Sequence, residues 1–298
     1  MKWILLTLLS CNAFAHSAKT IIVEAPMGTH WAKWTQSEET NVARLLELLE
    51  RSATGKKLIQ LAHRKAAAQG LTLLDVIKPG ESSLTDTTLI RKFHPDSPEN
   101  VVFESRSLVF VNRHMPWKEG ILDLAHELTH YVYRENFNPY TINFSLRDFI
   151  VSTIEGRGGE VQAFVTECQV MSELFTRDVQ VDSNCAQIKD PQGQVSRSRA
   201  AEFFYHVGAF HPQISKILKE RGIESSFPAL KADKIKFVSS AYGLPYPLAA
   251  IQEYQTVLSK VCENDRRRLT YMQQGRAPAS VEKFRQDVEQ RCPRISQN

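Results

Sequence analysis

The chain of 298 residues carries 37 basic and 33 acidic side chains, which gives a formal net charge of +4 at pH 7. This charge is too small to indicate a nucleic-acid-binding protein, so we expect no nucleic-acid partner. The one dense basic run, Arg266-Arg267-Arg268, is typical of a solvated helix face. The length suits one folded core with helical additions.

The N-terminal segment has the pattern of an export signal. Lys2 gives a charged start, residues 3–9 form a short apolar core, and Ala13-Phe14-Ala15 matches a cleavage site of small residues. The apolar run is too short to span a membrane. We therefore predict a signal peptide at residues 1–15, with a mature protein that begins near His16 and is periplasmic or secreted.

A second interpretation of the same segment keeps the protein at a membrane. Leu8-Leu9-Ser10-Cys11 resembles the motif at which bacterial lipoproteins are cleaved and lipidated. In that case Cys11 anchors the chain, and this is the only membrane association that the sequence indicates. Both interpretations place the folded protein outside the cytoplasm.

Residues 16–100 are predicted to form a mixed region of helix and strand. A short strand is expected at residues 20–24, and apolar residues at helical spacing predict helices at residues 38–52 and 56–69. Residues 82–100 are polar and contain prolines, which predicts a loop.

The most informative stretch is His126-Glu127-Leu128-Thr129-His130, which follows the best predicted strand at residues 101–112. On a helix, side chains four residues apart share one face, so both imidazoles can point at one metal ion. Glu127 lies at the edge of that face, where it can act on a metal-bound water but is badly placed to be a ligand. The helix is predicted from apolar residues at helical spacing: Ile121, Leu124, Ala125, Leu128, Tyr131 and Val132.

The third metal ligand must come from another part of the chain, because catalytic zinc normally takes three protein ligands and leaves a fourth position for water. The three-histidine pattern H-E-x-x-H-x-x-G-x-x-H is excluded, since Tyr133 and Asn136 replace its glycine and its last histidine. A glutamate on a later helix is the remaining common ligand. Glu160 fits, because Gly158-Gly159 lets the chain approach the metal helix and a helix is predicted at residues 160–175.

Glu155 is the alternative third ligand. It precedes Glu160 by five residues, so the two carboxylates would point in different directions if both positions were helical. Glu155 is predicted to lie in a loop before the glycine pair. We favour Glu160 because a helix holds a ligand more rigidly than a glycine-flanked turn does.

Four cysteines remain once the signal peptide is removed, and an even number in an exported chain predicts two disulfides. Of the three possible pairings, the sequence-local one joins Cys168 to Cys185 and Cys262 to Cys292. Four reduced, buried cysteines are the alternative. None of these residues has C-x-x-C spacing, which argues against a cysteine-based zinc site or redox centre.

The last part of the chain, residues 198–298, is predicted to be mainly helical. A polar stretch to about residue 197 separates it from the helix that carries Glu160. Apolar spacing then predicts helices at residues 198–210, 213–221, 248–262 and 281–291.

His126-Glu127-x-x-His130 followed by Glu160-Val161-Gln162-Ala163 resembles the gluzincin metallopeptidases. The resemblance covers roughly residues 100–176, and it departs from the family pattern at Phe164, where many members have aspartate. It implies an α+β fold with a zincin-like core at residues 101–180, built from a small sheet and an active-site helix. The mainly helical C-terminal part follows this core.

The resemblance also implies the activity of an exported zinc-dependent metallopeptidase, which hydrolyses peptide bonds in a peptide or protein substrate through a zinc-activated water. The Zn²⁺ ligands would be His126, His130 and Glu160, with Glu127 as the general base. In such enzymes the strand before the metal helix forms the upper edge of the cleft, where it can pair with substrate backbone. An ordinary interior strand at residues 101–112 is the alternative.

The donor that stabilises the tetrahedral oxyanion is expected among the aromatic residues of the C-terminal part. Tyr205 and His206 are the candidates, with Tyr242 and Tyr246 behind them, and a packing role is the alternative for each. Two other functions stay open. One is a non-catalytic zinc-binding periplasmic or cell-wall-associated protein, and the other is a hydrolase of a non-peptide amide. Substrate specificity and oligomeric state are not encoded in these motifs.

Overall fold

The computed structural model describes residues 29–94, 97–135, 138–141, 144–175, 183–273 and 278–292. The expected signal peptide, Cys11 and the strand predicted at residues 20–24 lie outside the described residues. Within them, a three-stranded mixed sheet is combined with many helices, which confirms the predicted α+β class.

Most helices follow the sheet along the chain, and many of them correspond to predicted helices. The strands are β1 (Ile77–Gly80), β2 (Leu84–His94) and β3 (Ser97–Asn112). The helices are α1 (Glu38–Leu49), α2 (Ala53–Ala67), α3 (Leu73–Val76), α4 (Trp117–Tyr133), α5 (Leu146–Glu155), α6 (Glu160–Leu174), α7 (Asn184–Gln187), α8 (Arg197–Phe204), α9 (His211–Glu220), α10 (Tyr246–Gln273) and α11 (Pro278–Arg291). The helix predicted at residues 248–262 is thus part of the longer α10, whereas the one predicted at residues 198–210 ends early, as α8.

The sheet has β3 at its centre. β1 pairs with β3 in parallel and β2 pairs with it antiparallel, so the strand order is β1-β3-β2. The strand predicted at residues 101–112 is confirmed. Of its two alternatives the structure shows the interior strand, because β2 is the edge strand on that side. Strand β3 itself runs through residue 100.

The loop predicted at residues 82–100 is wrong, because most of this stretch belongs to β2 and to the start of β3. β2 is polar since an antiparallel edge strand can leave one face in water. Its threonine and isoleucine side chains nevertheless favour extended structure. The polar residues and prolines of this stretch therefore led to a loop prediction, although the β-branched residues of β2 indicated a strand.

The odd-numbered residues of β2 and β3 lie on one face of this hairpin, because side chains alternate along a strand. We call this the inner face, since Val109 is fully buried and the Thr85 hydroxyl contacts α4. The pairs along it are Thr85–Val109, Thr87–Ser107, Leu89–Ser105 and Arg91–Phe103.

One hydrophobic core lies between the sheet and helices α1, α2 and α4. Its fully buried side chains include Leu45, Leu124 and Tyr131. Trp31 is also fully buried in this core, and its indole nitrogen donates to the Asn112 carbonyl over 2.8 Å. This core fixes α4 against the end of β3.

A second hydrophobic core lies among α5, α6, α8 and α10, and includes Phe149, Phe204 and Ile251. Helix α6 packs into both cores, because Val161 lies in the second and Val170 in the first. The predicted metal helices α4 and α6 therefore meet where the two cores adjoin. Clefts for ligands commonly lie at such junctions.

Both predicted disulfides are present. Cys168 in α6 is joined to Cys185 in α7, with their Cα atoms 5.3 Å apart. Cys262 in α10 is joined to Cys292 after α11, with a Cα separation of 5.7 Å. These bonds are consistent with an oxidising, exported location. In the described part of the chain, no helix combines the length and apolar character needed to cross a membrane.

A buried ion triad links the β2–β3 hairpin to the C-terminal helices. Asp265 of α10 is fully buried. One carboxylate oxygen lies 2.6 Å from Nη1 of Arg91 on β2, and the other accepts a hydrogen bond from Arg291 of α11. The far end of the hairpin inner face is therefore held by both C-terminal helices.

Asp265→Ala is expected to lower the free energy of unfolding by about 3–5 kcal/mol, because it leaves two buried guanidinium groups without a counter-charge. Urea unfolding with the disulfides intact measures this loss. Glu263→Ala is the matched control on the same helix, since exposed Glu263 pairs only at the surface with Lys260 and Arg267. That control should cost about 0–1 kcal/mol. Equal losses in the two variants would contradict a stabilising triad.

Candidate metal centre

His126, His130 and Glu160 converge on one point between α4 and α6. Their ligand atoms all lie within 4.8 Å of one another, so the three residues can hold a metal ion. Nε2 of His126 is 3.4 Å from one Glu160 oxygen, and Nε2 of His130 is 3.5 Å from the other. The sequence-predicted ligands are therefore brought together, with one nitrogen from each imidazole directed at the carboxylate.

The second nitrogen of each imidazole has its own acceptor. Nδ1 of His126 lies 3.1 Å from a carboxylate oxygen of Glu167, and Nδ1 of His130 lies 2.7 Å from the Gly158 carbonyl oxygen. Because an ionised carboxylate and a carbonyl can only accept, each Nδ1 carries the proton. This leaves the Nε2 lone pairs free to bind a metal, as in many metal sites with an outer layer of hydrogen bonds.

Glu167 accepts a hydrogen bond from His126. The sequence offered no residue for this role, because Phe164 stands where the family pattern has aspartate. Glu167 lies seven residues after Glu160 on α6, and residues at this spacing share one helix face. Phe164 instead packs in the second core, with its ring 4.7 Å from that of Phe237. The carboxylate that orients His126 therefore comes from one helical turn beyond the position expected from the family pattern.

The glycine pair before α6 permits this approach, as predicted. Gly158 has φ +68°, and a Cβ atom there would lie 2.2 Å from the backbone nitrogen of Arg134 at the end of α4. A Cβ on Gly159 would lie 2.8 Å from the Thr153 carbonyl oxygen. Any side chain at residue 158 would therefore push apart the two helices that carry the ligands.

The electrostatics of the cluster fit a cation. Burial lowers the pKa of His126, but the carboxylates of Glu160 and Glu167 outweigh burial and raise that pKa well above its usual range. Burial raises the pKa of Glu160, but the charge of His130 and hydrogen bonds from both imidazoles outweigh it and lower that pKa well below its usual range. The partly buried carboxylates thus favour a positive charge at the ring nitrogens, which a divalent cation would supply.

Glu127 lies beside the ligands, buried on α4 at 7 % exposure. The Thr85 hydroxyl of β2 lies 2.7 Å from its Oε2 and donates to it. Glu127 is not a member of the group that can hold the metal, in agreement with the predicted geometry. Thr85 was missed in the sequence because it belongs to the strand that was taken for a loop.

Asp123 ties the same helix to the sheet one turn earlier. Its carboxylate accepts a hydrogen bond from the Ser83 hydroxyl, and Ser83 in turn accepts from the Asn112 backbone nitrogen at 2.9 Å. Burial raises the pKa of Asp123 to about 6. Ser83, just before β2, and Thr85, near its start, therefore fix the face of α4 that carries Glu127.

Tyr246 is the C-terminal aromatic residue that reaches the metal centre. It begins α10, and its hydroxyl interacts with the Glu160 carboxylate. Burial and the charges of Glu160, Glu127 and Glu167 raise its pKa well above the usual range. Tyr246 is therefore a neutral hydrogen-bond donor close to the ligands and to Glu127.

Tyr205 and Glu155 contact each other. The Tyr205 hydroxyl donates to Oε1 of Glu155 over 2.7 Å, and burial together with this carboxylate raises the pKa of Tyr205. Glu155 is the last residue of α5, so its predicted position in a loop is wrong. Among the described residues, the group that can hold a metal includes Glu160 and does not include Glu155.

His206 lies two residues after the end of α8, with its ring 5.5 Å from that of Phe203. Both ring nitrogens are buried and have no hydrogen-bond partner in the described chain. Its role as an oxyanion donor stays a prediction, whereas Tyr246 has a contact with the centre.

Glu167→Gln is expected to weaken metal binding by about 10–100-fold, because the His126 ring loses its charged acceptor. Competition with a fluorescent chelator measures this affinity. Glu173→Gln is the matched control on α6, since Glu173 accepts hydrogen bonds from Thr54 instead of His126. Unchanged affinity in the Glu167 variant would show that the 3.1 Å contact does not support the ligand.

Comparisons with protein-family models, with curated proteins and with solved structures gave no match to this chain. The functional conclusion therefore depends on the geometry and chemistry of the centre itself.

Proposed function

We propose that this chain is an exported zinc-dependent metallopeptidase. The observation that carries the proposal is the convergence of His126, His130 and Glu160 with a buried Glu127 beside them. A site that only stored a metal would have no use for a fourth residue, the non-ligating carboxylate that accepts a hydrogen bond from Thr85. The resemblance of the H-E-x-x-H and Glu160 segments to gluzincins supports the same activity.

Zinc is the metal that suits the three donors. Two neutral imidazole nitrogens and one carboxylate form a common catalytic zinc set, which leaves a position open for water or substrate. When bound, Zn²⁺ polarises a carbonyl and lowers the pKa of a coordinated water. Glu167 and the Gly158 carbonyl hold the two rings in the orientation that this set requires.

Glu127 is the proton carrier in the proposed reaction. Its carboxylate takes a proton from the attacking water and delivers it to the nitrogen of the leaving amine. The hydrogen bond from Thr85 fixes this side chain in one orientation, and the low exposure of the carboxylate limits competition from solvent. The edge strand β2, which carries Thr85, can also pair with an extended peptide backbone.

Tyr246 is the proposed donor to the carbonyl oxygen of the substrate as charge develops there. Tyr246→Phe is expected to lower kcat by about 10²–10³-fold, the range found when one oxyanion donor is removed, with a small change in KM. Steady-state kinetics with matched zinc content measures the effect.

Tyr205→Phe is the comparison for this test, because Tyr205 was the first candidate and donates to Glu155. A large loss of kcat in the Tyr205 variant, with none in the Tyr246 variant, would transfer the role to Tyr205.

The proposed function is tested by digestion of a peptide library with purified mature protein, read by mass spectrometry. We expect cleavage that a chelator abolishes and added Zn²⁺ restores. Bound zinc without cleavage of any peptide would favour a non-catalytic zinc-binding protein. Cleavage of cell-wall amide cross-links, with no cleavage of peptides, would favour the non-peptide amide hydrolase.

A further inference from the structure

A cleft of about 650 Å³ reaches His130 of the metal centre. It lies between the hairpin inner face and helices α4, α5 and α10. Its volume is within the roughly 300–1,000 Å³ that is usual for ligand pockets. The cleft is therefore large enough to take a substrate group next to the bond that the metal centre would cleave.

The walls of the cleft combine hydroxyl groups with apolar surface. Hydroxyl groups come from the hairpin inner face and from Ser152 and Thr153 of α5, whereas Phe149 and Val257 are apolar. On the hairpin, the Thr87 and Ser107 hydroxyls lie 2.9 Å apart, and both residues line the cleft. Such a surface suits a short aliphatic stem that ends in a polar group.

Three cations line the cleft, and each lies near an acceptor group of the protein. Nζ of Lys65 donates to the Tyr131 carbonyl oxygen at 2.5 Å, and Arg157 lies 3.7 Å from Glu135. Arg134 is the third cation. The three cations outnumber the two lining carboxylates, Glu135 and Glu253, but Arg134 also lies 3.6 Å from Glu160, which is outside the lining. The lining itself therefore favours an anion.

Arg134 is placed to bind that anion. Its Nη2 is 3.6 Å from a Glu160 oxygen, which is too long for a hydrogen bond, and it has no hydrogen-bond partner among the described residues. The side chain is 37 % exposed, so other donors of the guanidinium are accessible to a ligand. A carboxylate matches the planar geometry of this group.

We infer that the cleft beside His130 binds a carboxylate of the substrate through Arg134, an inference that rests on the proposed peptidase function. Arg134 follows His130 by one helical turn, or about 6 Å along α4. An extended peptide advances by about 3.3 Å per residue, so the carboxylate lies within about two residues of the cleaved bond. It is either an acidic side chain or the free C-terminus of the peptide.

The test uses zinc-loaded protein and peptide pairs that differ in one group. One pair has Glu or Gln next to the cleaved bond, and the other has a free or an amidated C-terminus. We expect kcat/KM to favour the acid by about tenfold or more in one of these pairs, since hydrogen bonds to charged groups contribute about 1.5–3 kcal/mol. The pair that shows the preference identifies the source of the carboxylate.

Arg134→Gln should abolish the preference for the acid. Arg106→Gln is the matched control, because exposed Arg106 lies on β3 between Ser105 and Ser107 and points to the opposite face. Zinc content is measured in both variants, since Arg134 lies near Glu160. A preference that survives in Arg134→Gln, or an equal rate for acid and amide in the wild type, would overturn the inference.

A peptide-binding measurement distinguishes failure of this inference from failure of the proposed function. Fluorescence anisotropy with labelled acid and amide peptides is measured on Glu127→Gln, which should bind peptide without cleaving it. Tighter binding of the acid, lost in the double variant with Arg134→Gln, supports the cleft assignment even if no peptide is cleaved. Cleavage with no preference for the acid would contradict only the assignment of the cleft. Absence of both binding and cleavage would contradict both proposals.

Discussion

Glu127→Gln is expected to lower kcat for peptide hydrolysis by about 10²–10⁴-fold, the usual contribution of a general base. Glutamine has the size of glutamate and can still accept the hydrogen bond from Thr85, so the fold and the ligands are retained. It cannot take a proton from water. The zinc content should therefore remain at one ion per chain while turnover is lost.

The measurement combines zinc analysis with library digestion, and Glu119→Gln serves as the control. Glu119 is exposed in the first turn of the same helix, so this substitution removes an equal charge without touching the centre. Full activity in the Glu127 variant would contradict the mechanism. Loss of zinc together with activity would show instead that Glu127 is needed to build the site.

Glu160→Ala is expected to have the largest effect on metal binding. A residue bound directly to the metal contributes more to metal affinity than a residue that hydrogen-bonds to a ligand. The loss of zinc affinity should therefore exceed the roughly 10–100-fold that is typical when such a hydrogen-bond partner is removed. The two imidazoles would remain, but two ligands leave the metal incompletely held. Zinc affinity from chelator competition, together with the zinc dependence of the melting temperature, checks this expectation.

Glu155→Ala is the matched comparison, because Glu155 was the alternative third ligand in the sequence. Glu155 accepts the Tyr205 hydroxyl, so its removal leaves a buried donor unpaired and should cost about 1–3 kcal/mol of unfolding free energy. Zinc affinity should not change. If Glu155→Ala lost zinc and Glu160→Ala kept it, the ligand role would belong to Glu155.

The parts of the centre that sequence could predict depend on local spacing. His126 and His130 share a face because a helix repeats every 3.6 residues. Glu160 was found because it starts a helix after a glycine pair, and Gly158 does lie against the end of α4. The sequence-local disulfides are also present, so each was a short-range pairing between neighbouring elements.

The parts that sequence reasoning missed depend on contacts between distant segments. Thr85 reaches Glu127 through a strand whose polar surface resembled a loop. Tyr246 reaches Glu160 from the start of α10, and no local pattern indicated that contact. Glu167 was open to prediction, because its spacing from Glu160 puts both on one face of α6. The family pattern drew attention to Phe164 instead.

The Arg91–Asp265–Arg291 triad has a consequence for biosynthesis. Ribosomes complete the metal ligands and the hairpin long before they add Arg291 and Cys292. A polypeptide released before that point lacks one cation of the triad and one half of a disulfide. It would carry all three proposed metal ligands. However, β2, which carries Thr85, would be held less firmly at its far end, where Arg91 meets Asp265. The last residues of α11 are therefore expected to influence how firmly Thr85 and Glu127 are held at the candidate metal centre, although the residues of that centre are encoded far upstream.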